Sequence, residues 1–347
     1  MGFWMRRARG RRLERVDWTD RPPGRAVPVN RTPCWLERHI VMLRQWLRDH
    51  DALGYVGAEA IRRRLLTAGG RAPSARTIAR ILHRAGLTRP PRRRRPAPPP
   101  GWYLPEVARG ESELDQLDVI EGLHLQAVGP VEVLTAISLW GKLALAAPAT
   151  GGWRVQTIAA ALAAHWRRWG APGYLQMDND TRFAGSSRAV RRLGRLIRFC
   201  LAAGVVPVFV PPRETGFQAA VESFNALWQA KVWQRFRHRD LPQLDQRNRA
   251  FLAAHRRWPR PAAADPRLTL RRPAQRVIFL RRTDARGCIR VLGIEVPIAP
   301  GWPHRLVRAE LHVLTRTLRI HALRRREPRH QPVLKTLPFR LYEPATF

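Results

Sequence analysis

The sequence predicts a mixed α/β core with an all-α domain before it and a small β-rich domain after it. Three observations support this prediction. Apolar residues recur at helical spacing within residues 35–87. Within residues 111–240, three β-like runs precede alternating helical and β-like runs, which is the order expected of an α/β domain. From residue 276 onward, short alternating runs separated by turns indicate strands alone.

The N-terminal helical region has the pattern of a helix-turn-helix. Two periodic runs cover residues 35–50 and 58–66, and a glycine pair follows the second. Ser74 stands where an N-cap is expected, ahead of a third run centred on Ile78. The last helix of such a motif enters the major groove of DNA, whereas a three-helix scaffold without DNA contact is the alternative. The side chains placed to reach bases are Arg76, Thr77 and Arg80.

A proline- and arginine-rich segment, TRPPRRRRPAPPPG, separates this region from the core. Proline blocks helix continuation and favours a stiff, extended linker. Four consecutive arginines in it are placed to follow a DNA backbone: Arg92, Arg93, Arg94 and Arg95.

The charge of the chain indicates a polyanionic partner. Lys and Arg total 63 against 26 acidic residues, a net charge of +37. Residues 1–100 carry +17 and residues 241–347 carry +16, but residues 111–240 carry only +4. A nearly balanced centre between basic flanks is the layout expected if the centre performs chemistry and the flanks bind DNA phosphates. Solvated charged faces and genomic bias toward arginine are the alternative.

The sequence offers no membrane span and no cysteine-rich metal site. No window has about 18 consecutive apolar residues. The three cysteines, Cys34, Cys200 and Cys288, are far apart and lack CxxC spacing, so neither a disulfide framework nor a zinc site is indicated. We therefore expect a cytoplasmic, nucleoid-associated bacterial protein.

Within the core, three meander strands followed by alternating helices and strands is the order of a ribonuclease-H-like fold. Three carboxylates stand out on these elements. Asp118 lies in the first strand, Asp178 at the end of the fourth, and Glu222 in a late helix. Asp and Glu oxygens are the ligands that Mg²⁺ requires. Asp115 lies three residues before Asp118, and strand alternation therefore places it on the opposite face.

The segments QLDVIEG, DNDTRF and AVESFN resemble the three acidic motifs of the retroviral-integrase-type DDE superfamily, especially insertion-sequence transposases. The resemblance covers residues 111–237 and implies an integrase catalytic core. Carried over position by position, it implies that Asp118, Asp178 and Glu222 are catalytic and hold two Mg²⁺ or Mn²⁺ ions. The chain departs from the pattern at Asp180, where Gly is usual. A basic position is occupied by Gln229, so Lys231 is the residue we expect to contact DNA.

The resemblance also implies an SH3-like β-barrel in the C-terminal region, where exposed arginines on an ordinary β-domain are the alternative. Strand faces bearing five arginines would suit phosphate contacts: Arg281, Arg290, Arg305, Arg308 and Arg319. The predicted parts are a basic arm (1–34), a helix-turn-helix domain (35–87), a Pro/Arg linker (88–110), an RNase-H-like integrase catalytic core (111–240), a connecting helix and linker (241–275), and a DNA-binding SH3-like β-barrel (276–347).

These features together predict a Mg²⁺-dependent DNA transposase. Such an enzyme cleaves element ends to free a 3′-hydroxyl and joins that hydroxyl to target DNA by two-metal transesterification. The expected partners are element-end and target DNA, further copies of the chain on that DNA, and a possible helper ATPase. The alternatives are a metal-dependent nuclease without strand transfer and a DNA-binding regulator with a relic core.

Overall fold

The computed structural model describes Met5 and residues 8–16, 32–88, 100–139, 144–186, 188–256, 272–299 and 301–342. The chain forms two compact units, Met1–Arg92 and Arg93–Phe347. The segment with the four consecutive arginines lies outside the described residues.

The first unit contains the three predicted helices, which are confirmed. After a short 3-10 helix at Leu13–Arg15, they are α1 (Cys34–His50), α2 (Ala58–Thr67) and α3 (Ala75–Arg84). Their apolar faces meet through Ile40, Ile61 and Ile78, all fully buried. The Ser74 hydroxyl accepts a hydrogen bond from the Thr77 backbone N–H at 3.2 Å, and so satisfies one of the amides that a helix start leaves unpaired.

The second unit is an α/β structure built on one large sheet. Its strands are β1 (Leu114–Leu125), β2 (Gly129–Ser138), β3 (Ala144–Thr150), β4 (Tyr174–Met177), β5 (Val206–Phe209), β6 (Arg276–Arg282), β7 (Cys288–Val291), β8 (Ile294–Pro297), β9 (Leu306–His312), β10 (Thr317–Ala322) and β11 (Val333–Pro338). Nine of them form a sheet in the order β11-β10-β9-β6-β5-β4-β1-β2-β3, and β7 pairs with β8 separately. The contacts β1–β4, β4–β5 and β5–β6 are parallel, and the other contacts are antiparallel.

The helices of this unit are α4 (Pro105–Ala108), α5 (Val155–Trp169), α6 (Thr181–Ala184), α7 (Arg195–Ala202), α8 (Ala219–Trp228) and α9 (Leu241–Arg256). Helix α5 ends where Gly170 adopts φ +91°, a conformation that a side chain would strain. Helix α8 continues into a π-helical turn at Gln229–Trp233. Such turns are rare and often lie at functional sites.

The predicted C-terminal strands are present, but they do not form a separate SH3-like barrel. Strand β6 pairs with β5 through Val208–Ile278 and Phe209–Phe279, so β6, β9, β10 and β11 extend the core sheet. The rings of Phe209 and Phe279 stack at 5.4 Å between centroids and are buried. Burying such a side chain stabilises the fold by about 1.5–3 kcal/mol, which favours fusion of the two regions over separation.

The predicted linker at residues 88–110 is also too long at its C-terminal end. Trp102, Tyr103 and Leu104 are buried. Val107 of helix α4 is fully buried in the same hydrophobic cluster, which also contains residues of the sheet such as Val208. Proline at the first position of α4 starts this helix rather than breaking it. The folded core therefore begins near residue 101.

In the described part of the chain, we find no helix whose length and hydropathy would allow it to cross a bilayer.

Candidate active site

The three predicted carboxylates lie on elements that meet at one end of the parallel strands. Asp118 is within β1, Asp178 directly follows β4, and Glu222 is in the first turn of α8. Strands β1 and β4 are neighbours, with Gln116 opposite Gln176. The two aspartates each lie two residues beyond that pair, and side chains two apart on a strand share a face. Both aspartates are half-buried, and Glu222 is exposed.

Asp118 interacts electrostatically with both of the other carboxylates. Its pKa is raised to about 6, chiefly by burial and also by the negative charges of Asp178 and Glu222, against two opposing hydrogen bonds. Its Oδ1 accepts from the Val119 N–H at 2.9 Å, and its Oδ2 accepts from Asn225 Nδ2 at 2.8 Å. Since Asn225 lies one turn after Glu222 on α8, this bond ties the helix to the central strand.

Asp178 has a different set of neighbours. Burial raises its pKa, and so does the charge of Asp180, whereas Arg182 and the Asp180 N–H oppose the rise. That N–H donates to Asp178 Oδ1 at 3.0 Å. Burial and repulsion between nearby carboxylates are the conditions under which bringing in a cation is most favourable.

Arg182, which the sequence analysis missed, forms ion pairs with three acidic side chains, those of Asp180, Glu121 and Glu132. Its guanidinium donates to both oxygens of Asp180, at 3.0 and 2.8 Å. It also donates to Glu121 at 2.5 Å and to Glu132 at 3.3 Å. Asp180 additionally caps helix α6. The residue that replaces the usual glycine is thus neutralised by a local arginine, a pairing that the spacing Asp-x-Arg at the start of a short helix could have indicated.

Asp178 and Glu222 line one open cleft of about 430 Å³, together with Asp180, Glu214 and Gln218. The donor set consists of carboxylate oxygens, which suit Mg²⁺ or Mn²⁺. Among the residues that the structure describes, no three His, Cys, Asp or Glu side chains are close enough together to hold an ion between them. The raised pKa values of Asp118 and Asp178 are consistent with a fit, because a cation would relieve the repulsion that contributes to them.

A residue from the C-terminal region supports the edge of this cleft. Arg281, on β6, donates to Asn179 Oδ1 at 2.8 Å and to the Val210 carbonyl at 3.1 Å. Asn179 Nδ2 also donates to the Val210 carbonyl, at 2.8 Å. Burial lowers the pKa of Arg281 to about 10. Arg281 therefore supports the Asp178 loop, and it also lines a cavity beside that loop.

Two arginine-lined cavities adjoin the carboxylate cleft. The first, of about 500 Å³, shares Asn179 and Pro212 with the cleft, and its arginines are Arg192, Arg281, Arg282 and Arg290. The second, of about 610 Å³, shares Arg282 with the first and adds Trp302, His304, Arg305, Arg324, Arg325 and Arg326. Glu214 of the cleft forms ion pairs with Arg282 and Arg325. A basic surface thus runs from the Asp178 loop across the C-terminal strands.

The other predicted DNA-binding residues lie in several places. Arg76 and Arg80 are exposed on α3, and the Thr77 hydroxyl is 3.0 Å from the Ser74 hydroxyl at the N-cap. Lys231 is half-buried in the π-helical turn. The prediction that Arg308 contacts phosphate is wrong. The side chain is buried, forms an ion pair with Glu310 at 2.8 Å and donates to the Tyr103 carbonyl. Burial against Glu310 gives it a structural role.

Comparisons with known proteins give a limited result. No protein-family model matches the sequence, and no curated protein matches it. Among solved structures, the chain is similar to one from a cryoEM structure of the simian T-cell lymphotropic virus intasome in complex with the PP2A regulatory subunit B56 gamma. The identity is 15% and the TM-score 0.36, with 77% of this chain and 88% of that chain covered.

Proposed function

We propose that the second unit is an RNase-H-like, DDE-type polynucleotidyl transferase and that the whole chain is a DNA transposase. The partial order β3-β2-β1-β4-β5 supports the proposal, since it places an antiparallel meander beside two parallel strands as the resemblance implies. Asp118, Asp178 and Glu222 lie on the elements that the three acidic motifs predict.

The observation that carries the proposal is the way two strands and a helix place the three acids. The strands of Asp118 and Asp178 pair two residues before each acid, and Asn225, one turn after Glu222, donates to Asp118. Asp178 and Glu222, which are 44 residues apart along the chain, line one cleft, and their charges act on Asp118, which lies 60 residues before Asp178. Placing like charges together opposes folding, so an arrangement of this kind is expected where the charges serve a ligand. Solvent exposure alone would explain an acidic residue at the position of Glu222. It does not explain Asp118 and Asp178, which are half-buried.

In the proposed mechanism, Asp118, Asp178 and Glu222 would hold two Mg²⁺ or Mn²⁺ ions, which supply activation of the attacking oxygen and stabilisation of the leaving oxygen. The hydrogen bonds from Val119 and Asn225 keep the Asp118 carboxylate in one orientation. The arginines of the adjoining cavities bind the phosphates of the DNA and position the scissile bond at the cleft. Water would first attack the scissile phosphorus and release the 3′-hydroxyl of the element end. That hydroxyl would then attack a phosphorus of the target DNA and release a 3′-hydroxyl of the target strand, without a covalent protein intermediate.

The proposal is tested with the full-length chain, Mg²⁺ and a supercoiled plasmid carrying the DNA that borders its gene. The expected products are nicks with a 3′-hydroxyl at the element ends, followed by molecules in which those ends are joined to target DNA. Nicks without joining would replace the proposal with a nuclease. Sequence-specific binding without cleavage in either Mg²⁺ or Mn²⁺ would overturn it in favour of a regulator.

A further inference from the structure

Two buried glutamines stand behind the two candidate aspartates. Gln116 precedes Asp118 by two residues on β1, and Gln176 precedes Asp178 by two residues on β4. The strands pair so that the glutamines are opposite each other, and both are about 1% exposed or less. Polar side chains this deep in a sheet are unusual unless their hydrogen bonds are satisfied.

Both amides bond to the segment that leads into the Glu222 helix. Gln116 Nε2 and Gln176 Nε2 donate to the same acceptor, the Phe217 carbonyl, at 2.8 and 2.7 Å. Gln176 Oε1 in turn accepts from the Tyr103 hydroxyl. Because Phe217 is buried, its carbonyl needs hydrogen-bond donors from the protein, and the two glutamines on β1 and β4 provide them.

Gln116 also caps the helix that carries Glu222. Its Oε1 accepts from the N–H groups of Ala220 and Val221, both at 3.0 Å. These amides belong to the first turn of α8, where backbone N–H groups have no partner within the helix. The residue at the N-cap position, Gln218, makes no side-chain cap and instead donates to the Leu117 carbonyl at 3.2 Å. The cap therefore comes from the strand that holds Asp118.

We propose that Gln116 and Gln176 are positioning residues that fix Glu222 relative to Asp118 and Asp178. The inference rests on the proposed function. The same two strands supply the aspartates and, one side-chain step behind them, the amides that hold the third acid's helix. One buried cluster thereby sets the mutual positions of all three acids, which lie far apart in sequence. Glu222 is exposed and Gln218 at the N-cap supplies no side-chain cap, so the Gln116 cap acts together with the Asn225–Asp118 bond to locate Glu222.

The test compares Gln116→Met and Gln176→Met in the full chain. Methionine matches glutamine in length but can neither donate to Phe217 nor cap α8. We expect Gln116→Met to lower kcat for DNA cleavage by about 10- to 100-fold, since small misplacement of a reacting group has effects of this size, with KM for DNA within about twofold of wild type. Gln176→Met, which leaves the cap intact, should have a smaller effect. Leu162→Ala on α5 serves as a control that lowers stability through the core without touching this cluster.

Hydrogen exchange of the same proteins gives a readout that does not depend on cleavage. In Gln116→Met, the amides of Ala220 and Val221 should exchange faster while those of α5 and β1 are unchanged; in Leu162→Ala, the pattern should reverse. Faster exchange at α8 with unchanged kcat would overturn the positioning role and leave a structural one. Unchanged exchange at α8 would overturn the cap itself. If wild type cleaves no DNA, the proposed function fails, and the exchange experiment still decides whether the glutamines fix the helix.

Discussion

At the scale of single residues, the two aspartates of β1 show how strand alternation separates roles. Asp118 interacts with the charges of Asp178 and Glu222, whereas Asp115 is buried and its Oδ1 has no hydrogen-bond partner among the described residues. Burial raises the pKa of Asp115 well above its ordinary value, and the charge of Glu113 adds to the rise. The predicted difference in face between the two residues agrees with these surroundings.

Asp115→Asn should therefore stabilise the protein near neutral pH. In the unfolded chain Asp115 ionises near pH 3.8, but in the folded chain it keeps its proton to higher pH. The native state then binds more protons, and stability falls as pH rises between the two pKa values. Asparagine removes this loss. We expect a gain of about 1–2 kcal/mol at pH 8, typical of relieving one buried unsatisfied group, that shrinks toward pH 4.

Urea denaturation of both proteins at pH 4.5, 6 and 8 measures this gain. A gain that is independent of pH would contradict the raised pKa of Asp115, and a loss at pH 8 would show that Asp115 is ionised and stabilised in the folded protein.

At the scale of secondary-structure elements, periodicity located most helices and strands because each buries one face. The strands from β1 to β5 and the helix at residues 155–169 follow from their apolar runs. Strand β11 was missed because its side chains are exposed or half-buried, so VLKTLP shows no apolar face. Helix α4 was missed because prolines precede it and one begins it, although Trp102 before it and Val107 within it are buried. The pairing of β5 with β6 bridges 66 residues and depends on tertiary packing that no local pattern reveals.

Ser74→Ala should lower the stability of the first unit by about 1 kcal/mol. The substitution removes the hydroxyl that accepts from the Thr77 N–H, a group with no acceptor within the helix. Thermal unfolding of the full chain, followed by helical circular dichroism, measures the change in the midpoint. Ser74→Asp, which keeps an acceptor and adds a favourable charge at the helix start, should retain the wild-type midpoint; a lowered midpoint for both variants would contradict the cap.

Arg76→Ala should weaken binding to cognate element-end DNA by about 1–3 kcal/mol and binding to random DNA very little, because a base-edge contact carries sequence information. Arg76 is exposed in the first turn of α3, where it is placed to reach a base. Fluorescence anisotropy titrations with both DNAs measure the difference, with Arg84→Ala in the last turn of the same helix as the matched control. Equal losses on the two DNAs would remove the case for a recognition helix.

At the scale of the whole molecule, the sequence located the acids but not the structure that holds them together. The three motifs predicted Asp118, Asp178 and Glu222, because carboxylates next to an apolar strand end are conspicuous. Nothing in the sequence marked Gln116 or Gln176, since amides occur on many surfaces, and only the Asp-x-Arg spacing pointed to Arg182. The basic flanks were predicted from charge alone. The structure adds that part of the C-terminal charge lines cavities next to the cleft, that Arg281 also supports the Asp178 loop, and that Arg308 is buried.

Replacing Arg290 and Arg305 together by Ala should weaken binding to all DNA sequences similarly. Each is exposed and lines one of the two arginine cavities. Loss of each phosphate contact should reduce the steepness of log affinity against log salt by about 0.9, so the double variant should reduce it by about 1.8. Binding titrations from low to physiological salt measure the slope. Arg167 and Arg168, exposed on α5 outside the cavities, provide the control pair; an equal loss for that pair would show that net charge alone determines binding.

The central claim, that Asp118, Asp178 and Glu222 form one metal-dependent site, is tested most directly by Mg²⁺-dependent DNA cleavage by four single variants. Asp118→Asn, Asp178→Asn and Glu222→Gln each remove one ligand charge without touching the basic flanks, so each should reduce cleavage to background while DNA affinity stays near wild type. Asp115→Asn, on the opposite face of the same strand, should cleave at close to the wild-type rate. Wild-type cleavage by any of the first three variants, or loss of cleavage in Asp115→Asn alone, would contradict the account.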